Sequence, residues 1–187
     1  MTSETPTFGR YAEIPYDQMT SEQKDAYDAI MKARGRLPGP VKIWIENPKL
    51  AKVISAFGTH FQPGGYSLTE REREIAVCVI TSHWHSAYPT AAHERRAKEV
   101  GLPAAKVEAI IAGMPTAFDN EREQLVYEMA TALSNARWVP RGLHDRAVKA
   151  LGHVGVTDVI TLMGHYSSVA MTLAFYDVPD GATGIRR

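Results

Sequence analysis

This chain of 187 residues is poor in the features that support redox, electrostatic or membrane chemistry. It has one cysteine, Cys78, so an intramolecular disulfide and a cysteine-based zinc site are both excluded. Neither sign of charge is in excess: Lys plus Arg and Asp plus Glu number 21 each. A balanced chain lacks the net field that draws nucleic acid or an anionic membrane, and neither is expected as a partner. No apolar run approaches the roughly 18 residues that a membrane span requires. The N-terminal segment has no apolar core region and does not read as a signal peptide, so a cytoplasmic location is expected. There is no Gly-rich phosphate loop, no nucleophile elbow and no HExxH pair.

Helix signals fill the chain instead. Thr20 with Gln23 and Thr69 with Glu72 are capping boxes. Asn47-Pro48 is a helix start, with Leu50, Val53, Ile54 and Phe57 as its core stripe. Between the first two helices, residues 35–40 hold two prolines and form a loop. Residues 41–45 alternate apolar and polar, but no second strand is available to pair with them, so a helical or irregular turn is expected. The helix after Thr69 is apolar all round in its middle and should be the central buried one. Further helices are expected from Pro89 to Gly101, after Pro103, and after a cap at Asp119 or Asn120, with Leu125, Met129 and Leu133 inward. Pro140 starts another, and Thr157 caps the last, which runs to about Tyr176. The expected architecture is one all-α multi-helix bundle over residues 20–179. An N-terminal arm over 1–19 precedes it, pinned by Tyr11, Ile14 and Tyr16, and a flexible tail over 180–187 follows.

Chemistry-bearing side chains concentrate in residues 74–101. Glu74 opens an apolar run, where a half-buried carboxylate can shuttle a proton. The bland alternative is a solvated first-turn residue, as is expected of Arg71, Glu72 and Arg73. The elbow that follows holds His83, Trp84, His85, Ser86 and Tyr88, and the next helix carries His93. A carboxylate, imidazoles and a phenol at one helix-helix corner are an inventory for general acid-base work. His83 and His85 flank Trp84 and would point to different faces. His83, His93 and Glu74 also have the composition of a two-His-one-carboxylate metal site, but their spacing does not demand one and no metal is expected. Cys78 reads as a buried, inert thiol. Residues 160–166, ending in His165-Tyr166, loosely echo residues 77–84, ending in His83-Trp84.

Several separated motifs resemble one known superfamily. These are Gly39-Pro40 with Trp44, Asn47-Pro48, His83-Trp84, Tyr88, His93-Glu94, residues 169–173, and Val178-Pro179. Their order, from about Tyr11 to Pro179, is similar to a branch of the carboxymuconolactone decarboxylase and alkylhydroperoxidase D-like superfamily. Its peroxidase members share a Cys-x-x-Cys ahead of the final histidine; the matching positions here are Ser86 and Pro89, so thiol peroxidase activity is disfavoured. Its decarboxylase members have a further histidine where Tyr88 stands, while Glu74 and His93 keep the superfamily's carboxylate and last histidine.

The resemblance implies a helical homo-oligomer, a trimer or a multiple of it with a dimer also open, that works on a small molecule without a cofactor. Decarboxylation of a lactone or carboxylated cyclic metabolite is the leading expectation. Glu74, His93, His83 and Tyr88 would be catalytic, and Trp84, Trp44, His85 and Ser86 would line the substrate. Hydrolysis or isomerisation of a related lactone or enone, or non-catalytic binding, are the alternatives.

Overall fold

The computed structural model describes residues 5–135 and 138–185, and the helix starts written in the sequence set its elements. Helix α1, Ser21–Arg34, begins at Thr20, which exchanges hydrogen bonds with Gln23 in a complete capping box. It ends at Gly35, whose left-handed backbone (φ 68°) turns the chain into the proline loop. Residues 41–45 do form a helical turn: α2 spans Val41–Trp44. Helix α3, Pro48–His60, is capped by Asn47. Helix α4, Glu70–His83, starts at the Thr69–Glu72 box. Then come α5, Ala87–Glu99; α6, Ala104–Ile111; α7, Glu121–Asn135; and α8, Arg141–Phe175. Among the described residues there is no strand, only an isolated bridge between Phe8 and Tyr11.

The expected central helix is central. Residues 74–81 of α4 are all buried, enclosed by α5, α6, α7 and α8. A smaller apolar cluster, Met19, Ala26, Ile30, Val41, Ile45 and Ala51, joins α1, α2 and α3 into a flanking layer. Trp44 touches both clusters, and its Nε1 donates to Thr172 Oγ1 at 2.9 Å. The arm is held by the buried rings of Phe8 and Tyr11, the latter donating to Glu46 at 2.8 Å. Tyr16 is more exposed, but it still ties the arm to α1: its hydroxyl donates to Asp28 at 2.9 Å and its ring packs edge-on against Tyr27 at 5.1 Å between centroids.

Several packing expectations need correction. Leu50, Val53 and Phe57 are exposed, and α3 buries Ala51, Ser55 and Gly58 instead. Small residues let α3 lie close to its neighbours: a Cβ on Gly58 would stand 2.9 Å from the His165 ring. Leu133 is exposed on α7. The cap of α7 is Asn120, whose side chain accepts from the amides of Arg122 and Glu123. Helix α8 is two helices merged across Gly152, where φ 67° and ψ 171° interrupt the spiral. Thr157 lies beyond that break, inside the helix, and its hydroxyl donates back to His153 O. The tail is held as far as it is described: Lys42 binds Thr183 O, and the Ile185 amide donates to Glu13. Residues 186–187 of the expected flexible segment lie outside the described ones.

Candidate functional site

Helices α4 and α5 run back past each other, which returns His93 to Glu74 across nineteen residues of chain. His93 Nδ1 lies 2.7 Å from Glu74 Oε2. The other carboxylate oxygen accepts from Arg73 Nη1. Glu74 is only 1% exposed, so both its oxygens are spent on these neighbours. It cannot itself reach a substrate. Its charge instead fixes His93 with Nδ1–H toward the protein and Nε2 outward. No hydrogen bond engages Nε2 among the described residues.

Arg73 is the hub. Its Nη2 donates to the Tyr166 hydroxyl at 2.7 Å and its Nε to Phe61 O at 3.1 Å. The sequence expectation that Arg73 is solvated is wrong, because α8 covers the first turns of α4 and brings Tyr166 onto it. Glu72 is buried too, paired with Arg122 at 2.7 Å, and Arg71 pairs with Glu123 at 2.6 Å. The Tyr166 ring stands edge-on to His93 at 4.8 Å between centroids. Burial, the largest influence, pushes the Tyr166 phenol up, so it stays protonated and can donate its own O–H. The adjacent His165 ring packs among Phe57, Phe61 and Tyr166. Burial first, then Arg34 and Arg73, push its imidazole down to about 4, and its Nδ1 is buried without a partner among the described residues.

His93 and Tyr166 border two adjoining cavities. The larger, about 490 Å³, opens between Tyr66, Phe61, Arg73 and Arg96. The smaller, about 160 Å³, lies under the proline loop and is lined by Tyr88, His165 and Pro38. Arg34, Arg36 and Ala92 border both. Tyr88 is set by close packing, since a Cβ on Gly39 would stand 2.8 Å from its ring.

The remaining sequence candidates do not join this corner. His83 ends α4, nine residues beyond Glu74, or about 13 Å along a helix axis. It and His85 line a separate cavity of about 250 Å³ with Tyr127 and Asn135. The His83–His93–Glu74 ligand set is therefore not assembled, and no cluster of three metal-binding side chains occurs among the described residues. Trp84 is exposed at the elbow, Trp44 is a packing residue between layers, and Ser86 is buried with a hydroxyl that has no partner among the described residues. Cys78 is fully buried, and burial pushes its thiol up, far from thiolate character. Arg73, Arg34, His165 and Tyr166 were not singled out as site residues from the sequence. The His-aromatic echo at 165–166 was the available signal for two of them.

No family model matches this chain, and no curated protein does. Solved structures do. A cysteine-to-alanine variant of the debrominase Bmp8, in complex with 2,3,4-tribromopyrrole, superposes with a TM-score of 0.68 at 14% identity, covering 96% of this chain and 94% of that one. An uncharacterised peroxidase-related protein from Silicibacter sp. TM1040 gives a TM-score of 0.73 at 15% identity, covering 97% and 96%. At such identities the likeness is one of fold. The chain is thus an all-α multi-helix bundle that shares its fold with these proteins.

Proposed function

We propose that this protein is a cofactor-independent decarboxylase of a small lactone or carboxylated cyclic metabolite, working by acid-base catalysis. One observation carries the reading: a histidine locked by a buried carboxylate presents its free nitrogen to a cavity of metabolite size. When CO2 leaves, the C–C bonding pair moves into the conjugated carbonyl and forms a dienolate. The Tyr166 O–H, its oxygen already accepting from Arg73, donates to that oxyanion. Protonated His93 then delivers its Nε2 proton to the ring carbon and recovers one from solvent, while Glu74 stabilises the imidazolium. Tyr88 borders the smaller cavity and helps to orient the ring. His83 has no part in these steps.

Thiol chemistry has no support from Ser86, Pro89 or the enclosed Cys78. A homo-oligomer is part of the proposal, supported by the exposed apolar face of α3.

The test is turnover of a panel of carboxylated lactones, with products weighed by mass spectrometry. Loss of CO2 is expected, with kcat falling about 100- to 10,000-fold in His93→Ala. Unchanged turnover in that variant overturns the assignment. A product isomeric with the substrate, or heavier by water, would move the reaction to an isomerase or hydrolase.

A further inference from the structure

The charges around the two cavities do not balance locally, although the chain as a whole does. Arg73 is matched by Glu74, Arg96 by Glu70 and Glu99, and Arg95 by Asp180. Among the described residues, two guanidinium groups that border these cavities are left without a carboxylate. Arg34 makes one hydrogen bond to a neutral oxygen, Thr59 Oγ1 at 3.3 Å. Arg36 has no carboxylate partner among the described residues. Both border both cavities, so they sit where the two spaces meet, with His93 and Tyr166.

Two features hold this pair in place. Arg34 is the last residue of α1, tied to α3 through Thr59. Arg36 follows Gly35, whose left-handed backbone swings the chain off the helix and into the proline loop. Arg34 is half-buried, and burial followed by the nearby Arg36 charge pushes its guanidinium down. An unpaired, partly desolvated cation beside a like charge is relieved by an anion between them. Guanidinium is suited to a carboxylate, since its planar fork meets both oxygens at once.

We propose that Arg34 and Arg36 form the clamp that selects a carboxylate-bearing substrate and points its ring at His93 and Tyr166. This rests on the reading that the His93 corner is a reaction site for a small cyclic metabolite. The gripped carboxylate is retained through the reaction, because ion pairing holds its electrons in place. The carboxyl lost as CO2 is therefore a second one on the same molecule, at the His93 end.

Binding can be measured without turnover. The probes are 2-furoate and its neutral methyl ester, titrated into the full-length protein and read by NMR of the histidine rings. The expected result is that furoate binds and the ester binds at least about 10-fold more weakly. Arg36→Gln and Arg34→Gln each weaken furoate by about 10- to 100-fold and leave the ester unchanged. Arg34→Lys, which keeps the charge but not the fork, falls between. Arg95→Gln, removing a cation already matched by Asp180, leaves furoate affinity unaltered. Because Arg36 is exposed, its variant tests the clamp even if Arg34→Gln fails to fold. Equal affinity for acid and ester, no furoate binding, or no effect of Arg36→Gln would overturn the clamp. So would inorganic phosphate displacing furoate at equal concentration, which would mark a general anion site. A clamp that binds furoate while no lactone acid loses CO2 would instead sink the decarboxylase reading alone.

Discussion

His93 and His165 have the same ring and opposite surroundings. His93 has a carboxylate on Nδ1; His165 has aromatic faces and the Arg34 and Arg73 guanidiniums. Phe57 and Phe61 of the α3 end, Tyr166 beside it and Arg73 of α4 supply nothing that would stabilise an imidazolium at 165. The folded His165 thus titrates near 4, against an ordinary value of 6.5. Between those values the unfolded chain binds a proton that the folded chain does not. Stability from this residue is therefore complete above pH about 6.5 and is lost as pH falls toward about 4. Urea midpoints measured from pH 7 to 4.5 should decline, and the decline should be shallower in His165→Phe. Parallel declines in the two proteins would show that His165 contributes nothing to acid sensitivity. Of this site, Glu74 and His93 were legible in the sequence, because one opens an apolar run and the other lies one turn into the returning helix. Arg73 was not, because its neighbours in sequence are charged and only the tertiary approach of α8 buries it. Arg34 carries no such mark, since the last turn of a helix is where basic residues are commonly found.

At the scale of elements, local chemistry carried further than periodicity. The caps at Thr20, Asn47 and Thr69 start their helices as expected, since a side-chain oxygen satisfying free amides is a local event. The stripe on α3 did not predict its buried face. Apolar spacing marks a face that leaves water, but not which partner covers it. The last break in the chain lies at Gly152 rather than at Thr157, because the backbone there needs a conformation that only glycine adopts at little cost. No side chain crowds the site, so an added Cβ would meet nothing within 4 Å. Gly152→Ala therefore isolates the backbone term: it should destabilise the protein by about 1–3 kcal/mol. Gly164→Ala, at an exposed helical position with equally open space, should gain about 0.5–1 kcal/mol. Denaturant unfolding of the pair decides it, and equal shifts of the same sign would mean that the kink is not held by Gly152.

For the whole molecule, the all-α class was legible because helix signals occupy nearly every segment and strand signals almost none. The apolar surface was not, and it bears on assembly. Leu50, Val53 and Phe57 stand at i, i+3 and i+7 on one face of α3, and Val53 is 69% exposed. Fully burying one such side chain is worth about 1.5–3 kcal/mol, and these three are partly covered already, so the face favours association without being enough to drive it alone. Zero net charge adds no repulsion between copies. Phe57 also packs its ring against His165, centroids 5.5 Å apart, so a copy docked on α3 would sit directly behind the candidate site. Light scattering on the purified protein should give a mass that is a multiple of 20.6 kDa. Val53→Glu would place a charge in the middle of this exposed apolar face and should shift the species to monomer, with little loss of helical circular dichroism because that side chain has little intramolecular packing to lose. A wild-type monomer at micromolar concentration, or an oligomer indifferent to Val53→Glu, would mean that α3 is not the contact.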